Sequence, residues 1–348
     1  MGAALPATIE THGLCSHCAI TTRRGFLERM SRLILVILIL GFILTACGSS
    51  PSALATPTRV DKNAAPVIEP SDSALSESEM AAPTAAPVTQ ATPTMSLPSP
   101  TPDPDAWKQA PILPKVSDRA RQIVEQGIEQ GKDPHRFSKI GDSETFTSWF
   151  LAPFDKTPPT YRLGEYAYLA DVIDHFAGSF ARQSVAARQG FNAASVFAPL
   201  WADPTLCQPG ETPLACEFRL HQPSYVFVLL GTNDIWHLEQ FESQMRRILE
   251  YSIEQGVLPI LGTKADNLEG DGSINRALYN LAVEYDLPLW NFWAAVQDLP
   301  QAGLDEDQAH LTFGYNYFDD PKAMQRAWPV RNLTALQVLY TVLHETQP

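Results

Sequence analysis

The chain has 348 residues, with 25 Lys and Arg against 39 Asp and Glu, a net charge of −14 and 45% hydrophobic residues. Such an acidic surface repels nucleic acid, and no basic stripe in the chain overrides it. Length and apolar content suffice for one substantial core.

In chain order, the first signal is the uncharged apolar run from Leu33 to Leu44, preceded by Arg23, Arg24, Arg29 and Arg32 and followed by Thr45-Ala46-Cys47. This is the pattern of a secretory signal over residues 1–46 with a lipoprotein-type cleavage box. The run is shorter than the ~20 residues of an ordinary membrane span. Cys47 is expected to become the lipidated first residue, tethering the protein to the outward face of a bacterial cell membrane. A plain signal anchor is the alternative. Thr22-Arg23-Arg24-Gly25-Phe26-Leu27 resembles a twin-arginine export signal. Met30-Ser31-Arg32 and the run after it already form a complete short lipoprotein signal, so a start at Met30 also stays open. Cys15 and Cys18 lack a second Cys or His pair at ligand spacing, which argues against zinc, and no metal or other cofactor is expected. Removal of residues 1–46 takes away four Arg and two Glu and leaves 21 basic against 37 acidic residues.

Residues 47–105 contain no aromatic residue and are dominated by Pro, Ser, Thr and Ala. Such a stretch cannot bury enough apolar surface to fold, and reads as a disordered tether spanning roughly 40 to 45 Å. The remaining residues, 106–348, make one domain. Strand-like runs are expected at Phe137 to Gly141, Ser184 to Arg188, Tyr225 to Leu230, Val257 to Gly262 and Leu287 to Phe292. Helical patterns fall at Leu163 to Phe176, Leu238 to Gln255, Ile274 to Tyr285 and Thr334 to Glu345. This alternation predicts an α/β fold, a parallel sheet covered by helices on both faces. Ligands of such sheets bind beyond the carboxyl ends of the strands, where strand order reverses.

Two short motifs follow strand-like runs, and a third lies near the C-terminus. Gly141-Asp142-Ser143 offers a hydroxyl and a backbone N–H on a tight strand-to-helix turn, although a serine there can equally cap a helix. Gly231-Thr232-Asn233-Asp234 offers the Asn233 amide, a neutral donor worth roughly 3 to 4 kcal/mol to a developing oxyanion. Asp234 is expected to cap a helix beginning near Ile235. Asp307-Gln308-Ala309-His310 puts a carboxylate and an imidazole three residues apart, close enough on a helical turn for Asp307 to hold Nδ1–H and leave Nε2 facing Ser143. His237 is the rival base and Asp305 the rival orienting carboxylate. Cys207 and Cys216, around Pro209-Gly210, are expected to form a disulfide on the approach to the site.

The motif series resembles the SGNH or GDSL hydrolase superfamily, whose blocks contribute Ser, Gly, Asn and His. Ser143, Asn233 and the Asp307 and His310 pair fit three blocks, and Gly190 after the second strand stands where the fourth requires a glycine. Glu144 departs from the apolar residue that often follows the serine. The resemblance implies a three-layer α/β/α sandwich with a five-stranded parallel sheet, flavodoxin-like, and ester hydrolysis without a metal. It implies catalysis by Ser143, Asp307 and His310, with Ser143, Gly190 and Asn233 forming the oxyanion hole.

Trp149, Phe150, Tyr161, Trp201 and Trp236 fall in segments expected around the cleft, as packing or as a sugar-stacking or acyl-binding wall. Lys264 and Asp266 follow the fourth strand's end and read as a solvated turn, with a place on the rim of the site as the alternative. Asn332-Leu333-Thr334 matches the glycosylation triplet, but the bacterial type of the signal argues against that use. The expected substrate is a small-molecule or carbohydrate ester, with O-acetyl groups on polysaccharide included. An O-acyltransferase and a lipid-anchored ligand-binding protein with a catalytically silent fold remain the alternatives.

Overall fold

The computed structural model describes residues 103–347. The signal, Cys15, Cys18, Met30, Cys47 and most of the tether therefore lie outside the described residues. Among the described residues four strands, β1 (Asp133–Gly141), β2 (Pro223–Leu229), β3 (Leu258–Gly262) and β4 (Leu289–Trp290), pair in parallel in the order β1-β2-β3-β4. Every residue of β2 and β3 is buried, as strands covered on both faces require.

Parallel neighbours need long crossovers, and helices fill them. The helices are α1 (Asp118–Glu129), α2 (Ser143–Phe146), α3 (Ala170–His175), α4 (Pro213–His221), α5 (Leu238–Glu254), α6 (Ser273–Tyr285), α7 (Phe292–Val296) and α8 (Ala327–Thr346). Alternation along the strands sends side chains to opposite faces. Phe137 packs edge-on against Phe176 at the end of α3, with ring centroids 5.5 Å apart. On that same face the Tyr225 hydroxyl meets Thr346 of α8 at 3.0 Å, and Trp290 Nε1 donates to Thr334 of α8 at 3.2 Å. Ser138 points the other way and donates to Glu217 of α4. The result is a three-layer α/β/α sandwich.

The sheet departs from the expected five strands. The segment Ser184 to Arg188 contributes only one parallel bridge, Ala187 to Gly141, on the outer side of β1. Side chains take the amides that would lengthen the ladder. Val185 N–H donates to the Glu217 carboxylate at 2.9 Å, and Ala186 N–H to Ser184 Oγ at 3.0 Å. The bridge still flanks β1 on the side away from β2, so strand order reverses at Gly141. The closing helix is longer than expected. It begins at Ala327, and its Asn332 is buried, holding Trp149 O, Asn316 Oδ1 and Leu151 N–H, which removes it as a glycosylation acceptor.

Candidate active site

The Ser143 turn is shaped by close approach. A Cβ at Gly141 would lie 2.2 Å from Thr145 Oγ1 and 2.7 Å from Leu229 O, so only glycine lets β1 end this tightly against α2 and β2. Asp142, not Ser143, caps α2, its Oδ1 accepting Glu144 N–H at 3.1 Å. Ser143 is the first residue of that turn and partly exposed, and its backbone N–H has no partner among the described residues. Burial pushes the Asp142 carboxyl up to about 7, with the Arg331 charge opposing.

Beyond β2, Gly231 adopts φ of 139°, a backbone that side chains resist, and the chain closes a short turn over Thr232–Asp234. Asn233 Nδ2 donates to Phe191 O at 3.0 Å. Its second amide hydrogen is uncommitted among the described residues. Asp234 Oδ1 accepts Ala193 N–H at 2.9 Å, so neighbouring residues of one loop tie down the segment carrying Gly190. Gly190 is exposed, and its N–H is also without a partner among the described residues. The expected cap role of Asp234 is not seen, because the next helix begins only at Leu238, after His237. Burial raises the Asp234 carboxyl to about 6.

The third motif folds on itself. A bridge between Leu304 and Leu311 closes the loop, and Asp305 N–H donates to His310 O at 2.8 Å. Asp307 Oδ1 accepts the N–H groups of Ala309 and His310, each at 3.0 Å, while its Oδ2 lies 2.5 Å from His310 Nδ1. The hydrogen bond from His310 is the main cause holding the Asp307 carboxyl well below the usual range. The same bond raises His310 above the ordinary imidazole value, and the charges of Asp307, Glu144 and Asp142 add to it. Asp305 instead turns its carboxylate to Glu306 N–H, and His237 is exposed at the start of α5.

Glu144 joins these pieces. Its Oε1 accepts Leu311 N–H at 3.2 Å, and its Oε2 lies 2.9 Å from Arg331 Nη1 of α8. The buried Arg331 guanidinium sits 4.6 Å from the Phe150 ring centre and 5.4 Å from those of Phe292 and Trp328. None of the motifs singles out Arg331. The signal in the sequence is a lone charge in the apolar run Ala327 to Leu343, which burial obliges to find a partner.

Ser143, Asn233 and Gly190 are thus gathered at the carboxyl ends of β1 and β2, and the Asp307 and His310 pair is moored to the Ser143 turn through Glu144. No hydrogen bond joins Ser143 Oγ to His310 among the described residues. His310 is largely exposed, with 62% of its side chain open, so its ring is free of packing that would fix Nε2 elsewhere. Catalytic hydrogen bonds are often long before substrate arrives and tighten in the complex.

Three concavities border the turn among the described residues, and one of them, about 30 Å³ beside Thr145 and Phe146, is too small for a substrate. A crevice of about 40 Å³ among Asp142, Glu144, Asp266 and Arg331 has room for only roughly two or three waters. Lys264 and Asp266, read from the sequence as a solvated turn, are buried in its wall. Lys264 Nζ lies 2.6 Å from both Asp266 Oδ1 and Glu269 Oε2, and Thr232 Oγ1 donates to Asp266 at 2.8 Å. A wider groove of about 460 Å³ is lined by Phe146, Ala187, Arg188, Trp201, Asp203 and Leu206, among others. Leu206, at one end of its lining, is followed by Cys207, which forms with Cys216 the disulfide that the spacing predicts. Of the five cleft aromatics named from the sequence, Phe150 is core, Tyr161 is partly buried, and Trp149, Trp201 and Trp236 are exposed.

No protein-family model matches the chain, and no curated protein matches it. Solved structures similar to it include the acetylxylan esterase Axe2 from Geobacillus stearothermophilus, at 14% identity over 59% of this chain and 93% of that one, with a TM-score of 0.37. Esterase EstA from Pseudoalteromonas sp. is 12% identical over 60% of this chain and 99% of that one, with a TM-score of 0.38. A protein assigned to the lipolytic G-D-S-L family in Desulfitobacterium hafniense has 14% identity over 59% and 99%, and a TM-score of 0.38. At these scores the likeness carries no weight, and the fold stands on the strand order and register of the chain itself.

Proposed function

We propose that the protein is a serine esterase, held by lipid on Cys47 at the outward face of a bacterial membrane and acting on carboxylic esters of carbohydrates. The observation that carries the reading is the pairing of Asp307 with His310 Nδ1 in a loop bonded to the Ser143 turn, with three uncommitted donors gathered around that turn. His310 Nε2 takes the Ser143 proton as Oγ adds to the ester carbonyl. The N–H groups of Ser143 and Gly190 and the Asn233 amide receive the oxyanion. His310 then gives its proton to the leaving alcohol, and the acyl group stays on Ser143. A water deprotonated by His310 releases the acid and restores the hydroxyl.

The wide groove supports the carbohydrate side of the reading. Among the described grooves of substrate size it is the one that touches both α2 and the segment leading to Gly190. It offers the half-exposed Trp201 ring together with Arg188, Asp203 and Gln183, an aromatic platform with donors and acceptors at its edge, as a sugar ring requires.

A serine-directed phosphonate should label Ser143 in the purified protein, and Ser143→Ala should abolish both labelling and turnover of acetylated oligosaccharides and aryl acetates. Absence of labelling together with absence of turnover would leave a ligand-binding protein. Trp201→Ala should raise KM for acetylated oligosaccharides and leave that for aryl acetates unchanged. An equal effect on both would remove the carbohydrate assignment and keep the esterase.

A further inference from the structure

We propose that Glu144 is a positioning residue, which sets the distance between nucleophile and base by holding Leu311 N–H while it is itself anchored by Arg331. The kinetic part of this proposal rests on the esterase reading above.

Glu144 is adjacent to Ser143 in sequence and Leu311 is adjacent to His310. One carboxylate therefore spans from the neighbour of the nucleophile to the neighbour of the base. Asp307 can orient the imidazole, but it belongs to the same loop and cannot locate that loop against Ser143. The other polar ties of the loop run elsewhere. Thr312 bonds Gly303 O and Ala327 N–H, at the start of α8. Among the described residues, Glu144 makes the only hydrogen bond between residues 141–150 and 304–315. An apolar contact adds to it, Trp149 against Phe313 with ring centroids 5.1 Å apart.

The anchor explains why a carboxylate stands here. Arg331 is buried in an aromatic cage and Glu144 is its ion-pair partner, at 2.9 Å. With Oε2 committed to that immobile cation, Oε1 presents a fixed acceptor to the loop. An apolar side chain would leave Leu311 N–H unanswered at a point where a displacement of about 1 Å slows reaction about 100-fold. Glu144 also adds negative charge near His310, together with Asp307 from its own loop and Asp142 from the nucleophile turn, while Arg331 lies behind Glu144.

Two double variants separate position from stability. Glu144→Leu with Arg331→Met removes both charges, and matched apolar replacements of a buried pair commonly preserve the fold. It should unfold at or above the wild-type temperature, exchange its Leu311 amide faster and lose kcat about 100-fold with KM for a small aryl acetate unchanged. Its activity should also persist to lower pH, because His310 loses a neighbouring negative charge. Glu144→Gln with Arg331→Met keeps an acceptor for Leu311 but frees it from its anchor, and should recover part of kcat relative to the first variant while staying below the wild type. Wild-type kcat in the first variant, equal loss in both, unchanged Leu311 exchange, or failure of the first to fold would each overturn the proposal. If the wild-type protein turns over no ester, the esterase reading fails by itself, and Leu311 exchange still decides whether Glu144 holds the loop.

Discussion

Two histidines and two aspartates compete for the same roles in the sequence, and hydrogen bonding separates them. Asp307 holds His310 Nδ1 at 2.5 Å, whereas the Asp305 carboxylate accepts Glu306 N–H and the Asp234 carboxylate accepts Ala193 N–H. His310→Ala should therefore lower kcat by roughly 10³-fold or more, and His237→Ala should change it little. Asp307→Asn should cost far more than Asp305→Asn in the same assay. The pH dependence has a defined sign. His310 must be neutral to accept a proton, and its pKa is raised chiefly by the bond to Asp307, so kcat/KM should fall as pH drops through a value above the ordinary 6.5. Asp307→Asn should move that limb to lower pH. An acid limb that does not move in this variant would detach Asp307 from the base.

At the scale of elements, periodicity locates what is apolar and misplaces what is held by buried polar groups. β1, β2, β3, α5 and α6 stand where alternation or helical spacing predicts them, with ends shifted by a few residues, and α8 begins seven residues before its expected start. The Ser184 to Arg188 segment does not, because the Glu217 carboxylate from α4 replaces sheet amides as its partner, and no local pattern announces a side chain arriving from 32 residues away. The burial of Lys264 and Asp266 escapes for the same reason, since a charge reads as solvated until its partner is known. The motifs single out Ser143, Asn233, Asp307 and His310, the residues of the proposed site, through short-range spacing. The Glu144 and Arg331 contact joins residues 187 apart and is invisible to them. Glu217 is fully buried and holds Arg182, Ser138 and Val185, so Glu217→Leu should cost about 3 to 5 kcal/mol in denaturant unfolding by stranding Arg182. A loss under 1 kcal/mol would mean water compensates there. By contrast, opening the Cys207–Cys216 bridge, which closes a separation of nine residues, should cost about 2 to 3 kcal/mol while Ser143 labelling persists.

For the whole molecule, buried ionisable groups near the sheet set how stability changes with pH. Asp142 and Asp234 are raised by burial, to about 7 and about 6. In the unfolded chain both carboxyls ionise near 3.8, so between that pH and 6 to 7 the folded state retains protons that the unfolded state has lost. Their contribution to stability therefore falls as pH rises through this window, and the penalty from these two groups is complete above about 7. His221 acts in the opposite sense. Burial lowers it to about 4, so its contribution is lost as pH falls from 6.5 through that value. Asp142→Asn retains an acceptor for Glu144 N–H and removes one ionisation, which isolates the alkaline arm. Denaturant midpoints at pH 5 and pH 8 should show the variant gaining on the wild type at pH 8, by a few kcal/mol relative to pH 5. A difference between variant and wild type that stays constant across that interval would mean that Asp142 ionises in the folded protein as easily as in water, and that its burial beside Arg331 carries no electrostatic cost.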